Sequence, residues 1–322
     1  MRRFPLVVSV LAAAALVSGC ESTSSATSKP ADPVNAPPAA AAVASVEDPE
    51  KRNERLLRLE FSGDQWWGAT QRQEWAKVAS LETLIGDYVI SNYDAVLSDL
   101  KLGSPRHRRA MAFALGFSRR TESVAPLAEA LKDTYYEVVL HALLGLYELA
   151  KNGETVAMVG GKLVPSPLVI DPEWVLPHLR HPREEVRSNA ALLLSRIVGP
   201  TTPKSTLLVI VAATEDTDAA TRVHALAALG ATGDKEAYPY LVKALNDAVE
   251  LVRIRAALAL GRVGDKDAVP YLVAVLAASN EKVDVKRAAA KALREITGET
   301  IESIDAAAWK PVADKLAPSK DD

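Results

Sequence analysis

Residues 233–242 read GDKEAYPYLV and residues 264–273 read GDKDAVPYLV, nearly the same string displaced by 31 positions. The stretches before them match at the same offset, with RVHALAALG starting at Arg222 and RIRAALALG at Arg253. Weaker copies run outward in both directions. Leu293 in VKRAAAKAL follows Leu260 by 33, and Leu194 in VRSNAALLL precedes Leu229 by 35. The pairs Leu115-Gly116 and Leu144-Gly145 are 29 apart, whereas Leu144 to Leu194 is a long step of 50. A period near 30 residues marks a chain built from stacked supersecondary units.

Each unit carries the signs of a helical hairpin. Ile254, Ala257, Leu258, Leu260 and Val263 form one apolar stripe at helical spacing. Gly264 follows as a left-handed C-cap, Asp265 can cap the next helix, and Asp267 falls in its first turn. Pro270 sits about a turn further on, with Pro239 and Pro126 in like positions. A proline inside a helix removes a hydrogen bond, so a recurring bend is expected there. Ala256 and Ala257 let neighbouring helices approach closely. A hairpin of this size cannot bury its apolar face alone, whereas stacked copies can. The pattern predicts an all-α fold: a right-handed α-solenoid of about six hairpins over residues 92–297, with capping helices at both ends.

The AVPYL string and the VRxxAAxAL-like string resemble the HEAT repeat family, in particular the short variety also found in phycobilisome linker-lyase proteins. The period here is shorter than the roughly 40–47 residues of longer HEAT units. Asp216 and Arg222 share a six-residue spacing with Asp247 and Arg253. The resemblance implies that these residues form a hydrogen-bonded ladder between neighbouring repeats. His181 opposite Arg187, and Asn280 opposite Lys286, depart from that pattern. An anion site along the arginine row is the other reading. Residues 51–91 form the expected N-terminal cap, with 71–91 as one amphipathic helix. Residues 298–322 form the C-terminal cap, with Trp309 filling the last groove.

The N-terminus speaks about location. Arg2 and Arg3 precede fourteen almost wholly apolar residues, Phe4 to Val17. As a helix these span about 21 Å, short of a ~30 Å hydrocarbon core, so they describe an export signal. The string Val17-Ser18-Gly19-Cys20 resembles the lipobox of bacterial lipoproteins. That resemblance implies a signal peptide over residues 1–19 and acylation of Cys20, anchoring the chain in a membrane. Glu21, where enteric inner-membrane lipoproteins carry Asp, points to the outer membrane, with the protein facing the periplasm. Residues 20–50, rich in Ala, Ser, Thr and Pro, read as a disordered tether spanning roughly 30 Å.

Composition narrows the function. Cys20 is the only cysteine, so no internal disulfide can form. Removing Arg2 and Arg3 takes the formal net charge from −3 to −5, which with 5% aromatic residues disfavours nucleic acid as a partner. His107, His141, His178, His181 and His224 show no metal-ligand spacing, and GxSxG, HExxH and phosphate-loop motifs are missing. No catalytic residue, metal or cofactor is therefore assigned.

The long step holds an insertion at residues 151–171, in which Met158 and Val159 precede Gly160-Gly161. Gly-Gly between apolar runs signals a β-hairpin or loop, packed either on its own repeats or on a partner. Trp66 and Trp67 are either an exposed anchor or folded onto the first helices. Arg222, Arg253, Arg255 and Arg287 are expected along the second helices of the repeats, lining a concave face. These features favour a non-catalytic scaffold that binds other envelope proteins. The alternatives are a bilin-lyase-like enzyme or chaperone by fold analogy, or a structural spacer in the envelope.

Overall fold

The computed structural model describes residues 48–153 and 155–316. The expected signal peptide, Cys20 and all but the end of the tether lie outside them. The first helix, α1 (Pro49–Gln71), starts slightly inside the stretch read as tether. Asp48 caps it by accepting from the Glu50 N–H at 3.0 Å, and Pro49 begins it. The Trp66-Trp67 pair lies within this helix. The cap also breaks: Gln73, with φ 57°, turns the chain, and α2 (Trp75–Ser91) follows.

Six helical pairs come next. They are α3 (Tyr93–Leu102) with α4 (Pro105–Leu115), α5 (Val124–Ala130) with α6 (Tyr136–Asn152), and a 3-10 segment, Leu176–Arg180, with α7 (Glu184–Ile197). Then come α8 (Lys204–Ala213) with α9 (Ala219–Thr232), α10 (Tyr238–Ala244) with α11 (Glu250–Val263), and α12 (Val269–Ala277) with α13 (Val283–Thr297). A last helix, α14 (Ala306–Leu316), closes the array. The first member of the third pair is only a 3-10 turn because Pro172, Pro177 and Pro182 crowd it. One apolar cluster runs unbroken from Leu56 to Trp309, which is a solenoid core, not the core of a sphere.

The punctuation between helices follows the sequence. Gly264 ends α11 at φ 72°, a conformation that L side chains rarely adopt. Asp265 then accepts from the Asp267 N–H at 3.1 Å, and Asp234 does the same for Glu236 at 2.9 Å. The expected proline bend does not occur. Lys235–Ala237 and Lys266–Ala268 are 3-10 turns, and the α-helices start only at Tyr238 and Val269. Pro239 and Pro270 thus occupy the second helical position, where the missing N–H would have had no partner.

The second helices of successive pairs pack directly on one another, α4 on α6, α6 on α7, α7 on α9, α9 on α11 and α11 on α13. Their approach is close because glycines stand at the crossing points. A Cβ on Gly116 would lie 2.7 Å from the Gly145 Cα, and one on Gly230 would lie 2.8 Å from the Ala259 Cβ. Such distances are well inside van der Waals contact, so any side chain there pushes the helices apart.

A ladder of ion pairs ties the N-terminal ends of these helices to the next pair. Arg222 Nε and Nη2 each lie 2.9 Å from the Asp247 carboxylate, and Nη1 donates to the Asp216 carbonyl at 2.9 Å. Arg187 holds Asp216 at 2.7 and 2.9 Å, and Arg253 holds Glu281 at 2.9 and 2.8 Å. Each carboxylate thus comes from the following repeat, and Glu281 takes the place that Asn280 cannot fill. Arg108 on Asp133, at 2.6 and 2.9 Å, is a further rung that the spacing of the C-terminal repeats did not reveal.

Gly230→Ala tests the seam. In a free helix this change stabilises by about 1 kcal/mol. Here urea unfolding should instead show a loss of about 1–3 kcal/mol, because the new methyl overlaps Ala259.

Candidate functional site

The exposed side of the second helices is set by their periodicity. On α9 the partly exposed stripe is Ala220, His224 and Ala231, with Ala227 on the same side. On α11 it is Leu251, Arg255, Leu258 and Arg262, and on α7 it is Glu185 and Arg196, with the buried Leu192 between them on the same side. The four arginines picked out by the sequence do not act as a group. Arg222 and Arg253 are rungs of the ladder, only about 15% exposed, with their donors committed. Arg287 makes an exposed pair with Asp284 on its own helix at 2.8 Å. Arg255 is left, with its Nε buried and without a hydrogen-bond partner among the described residues.

The electrostatics of this face are dominated by burial. Desolvation lowers the Arg255 pKa, and Arg262 on the same helix lowers it further. His224 is pushed down to about 4, first by burial and then by Arg255. His141 on α6 also falls to about 4 through burial, although its Nδ1 lies 2.7 Å from the Glu137 carbonyl. Both imidazoles are neutral at pH 7. Asp247 shows the opposite balance: burial works to raise its pKa, but the Arg222 guanidinium and the Val249 N–H hold it below the usual carboxylate range.

The insertion forms an antiparallel hairpin, β1 (Val156–Val159) and β2 (Lys162–Pro165), with Val159 opposite Lys162. Gly160 and Gly161 both have positive φ, 57° and 78°, as a two-residue turn of this hand requires. The outer edge of β1 is pinned to the loop after α4. The Val156 N–H donates to the Arg119 carbonyl at 2.9 Å, and the Met158 N–H donates to the Glu122 carboxylate. The outer edge of β2 carries Lys162 and Pro165, residues that discourage further strand pairing. Its apolar side chains remain in water: Met158, Val159, Leu163 and Val164 are exposed, and Val169 just beyond is 74% exposed.

The two tryptophans are fixed by the cap. Trp66 is buried, with its ring centroid 5.4 Å from Phe113 and 5.7 Å from Phe117. Its Nε1 donates to Glu82 on α2 at 3.3 Å, and Lys151 at the end of α6 reaches the same carboxylate at 3.0 Å. Lys151 also contacts the buried Glu148, whose pKa burial raises. This network joins α1, α2 and α6, so Trp66 is a clamp for the cap rather than an exposed anchor. Trp67 is half-buried against the same core.

Ser104 Oγ lies 2.8 Å from His107 Nδ1, but that serine is the N-cap of α4. The nearby Asp99 is buried against Arg52 and Arg55. Among the described residues no group of three or more His, Cys, Asp or Glu side chains is placed to hold a metal ion.

The fold defines a class: an α-solenoid of short helical pairs. The family model for HEAT repeats matches residues 172–253 and 241–316, so the C-terminal part of the array carries HEAT repeats. No curated protein matches the chain. Among solved structures, a designed armadillo repeat protein for modular peptide recognition is 17% identical with a TM-score of 0.46, covering 62% of this chain and 98% of that one. The Escherichia coli protein YibA is 17% identical with a TM-score of 0.47, covering 88% and 95%. The complex of CpcE and CpcF of phycocyanin lyase from a Nostoc species is 19% identical with a TM-score of 0.42, covering 69% and 93%.

Two outcomes follow from this geometry. Asp247→Asn removes the charge that Arg222 holds and should cost about 1–3 kcal/mol in urea unfolding, with helicity retained. The two depressed histidines bind protons more readily in the unfolded chain. Their contribution is therefore complete above pH 6.5 and declines as the pH falls toward 4. Replacing both by Gln should flatten the loss of stability between pH 7 and pH 5, by about 1–2 kcal/mol per histidine.

Proposed function

We propose that this protein is a non-catalytic interaction scaffold of the bacterial cell envelope, held at a membrane through an acylated Cys20 and reaching its partners with the HEAT-repeat array. The observation that carries the binding function is the hairpin. A two-stranded hairpin is marginal in water on its own. This one is held in place by main-chain bonds to the loop after α4, yet it keeps Met158, Val159, Leu163 and Val164 in solvent. A group of exposed apolar side chains on a hairpin anchored through its backbone is what a protein partner covers. The anchor rests on the lipobox-like string ending at Cys20, and the outer-membrane, periplasm-facing location rests on Glu21. Two or three acyl chains suffice for stable attachment.

The test combines location and contact. Cys20→Ser should move the protein from the membrane fraction to the soluble fraction. A photoactivatable residue at Met158 or Leu163 should crosslink in cells to the same envelope protein reproducibly, while one at Leu208, exposed on the first row of helices, should not. Deleting residues 155–166 from a protein that still folds should abolish that crosslink. Equal capture at Leu208, or none at the hairpin, would remove the scaffold reading.

A further inference from the structure

The face formed by α7, α9 and α11 has a shape of its own. Its middle helix carries Ala220, Ala227 and Ala231 at i, i+7 and i+11, the second of them buried, with only His224 among them as a larger side chain. The flanking helices present Arg196 on one side, and Leu251, Arg255, Leu258 and Arg262 on the other. Packed helices lie about 8–10 Å apart, so the flanking ridges stand roughly 18 Å from each other across a floor of methyl groups. A helix with its side chains is about 10–12 Å wide and fits along such a trough.

The charge of the trough is one-sided. Arg196, Arg255 and Arg262 line it, whereas the same face of these helices offers Glu185 as its acid. The α9 helix has no acidic residue between its ends, and Asp218, its N-cap, is the carboxylate whose charge reaches His224. Arg255 has no ion pair among the described residues, its Nε is buried without a partner, and the charge it feels most is that of Arg262. Arg262 is likewise without an ion pair among the described residues, and Arg196 donates to the Lys151 carbonyl at 3.1 Å. A guanidinium partly removed from water beside a second one is destabilising for the free protein unless something anionic arrives. Elsewhere on the second helices, Arg108, Arg187, Arg222, Arg253 and Arg287 all have a carboxylate within 3 Å.

We infer that the α7–α9–α11 trough binds an amphipathic helix of a partner protein that presents two carboxylates seven residues apart, beside aliphatic side chains. Arg255 and Arg262 are two turns apart, about 10.5 Å along the axis, which is the spacing of carboxylates at i and i+7 on a helix lying parallel to α9. The aliphatic side chains rest on Ala220 and Ala231 and against Leu251 and Leu258, in the helix-in-groove mode. The guanidinium planes supply paired donors to each carboxylate. This inference rests on the scaffold reading but concerns a surface separate from the hairpin.

The experiment uses the mature chain purified from Cys20→Ser and a phage-displayed library of random 16-residue peptides. Binders are kept only if they fail to bind the R255Q/R262Q variant. The expected consensus carries Asp or Glu at i and i+7 with aliphatic residues at helical spacing between them. A resynthesised member should lose at least tenfold in affinity on R255Q, and equally on changing its own first carboxylate to Gln. The two changes together should cost little more than either alone. The free R255Q protein should melt no lower than the wild type, while R255K should keep part of the binding. A consensus without acids, no binders at all, or a lower melting temperature for R255Q would each overturn the inference. So would binding to anionic phospholipid vesicles that is lost in R255Q/R262Q when the library yields no acidic consensus, since the trough would then be a lipid site. Crosslinking at Met158 and Leu163 in R255Q cells separates the two readings: its persistence leaves the scaffold standing if the trough fails.

Discussion

The close crossing of successive second-row helices is the constraint on which the remainder depends. Gly116 against Gly145 and Gly230 against Ala259 leave no room for a methyl group. This places one row of helices nearly backbone to backbone, while the first row, built on larger residues such as Leu127, Leu241 and Leu272, is held further apart. An array tight on one side and wide on the other must curve toward the tight side. The exposed stripes of α7, α9 and α11 therefore share one continuous face, whereas the first-row helices fan out across the other.

Arginine serves two opposite purposes in this array. The ladder arginines reach from the start of a helix to a carboxylate one repeat on, and they also bind the carbonyls at the end of their own hairpin turn. Bidentate geometry and partial burial make these pairs stronger than ordinary surface ion pairs. They fix the offset of each repeat on the next, which apolar contacts alone set only loosely. Arg255 lies two residues after a ladder arginine, and that places it on a different side of the same helix. There it meets no carboxylate among the described residues. The contrast is one of geometry, since the residue type is the same.

The two ends and the insertion are joined to the array by different means. The N-terminal cap is held by the aromatic contacts of Trp66 and by the Glu82–Lys151 link. The C-terminal end is closed by Trp309, fully buried, with its Nε1 donating to the Ser303 carbonyl at 2.9 Å. The hairpin is held through its backbone, so its side chains contribute little to holding it there. Side chains free of a packing role are available for contact, and here they are apolar.

The sequence by itself determined the repeat, the helical hairpin and its punctuation. A 31-residue offset, and at Gly233-Asp234 and Gly264-Asp265 a glycine after the apolar stripe followed by an aspartate, are local signals with local causes. Gly160-Gly161 between apolar runs announced the hairpin in the same way. Where the prolines fall relative to the first α-helical turn was not legible, because a 3-10 turn and an α-turn share the same residues and differ by one hydrogen bond. Only the tertiary structure decided which tryptophan is buried and which arginine is free. Arg222 and Arg255 look alike in sequence, but the partner of the first lies 25 residues away and is brought near by stacking. A charge is neutralised or left over according to what the neighbouring repeat places beside it, and that is a property of the packed array.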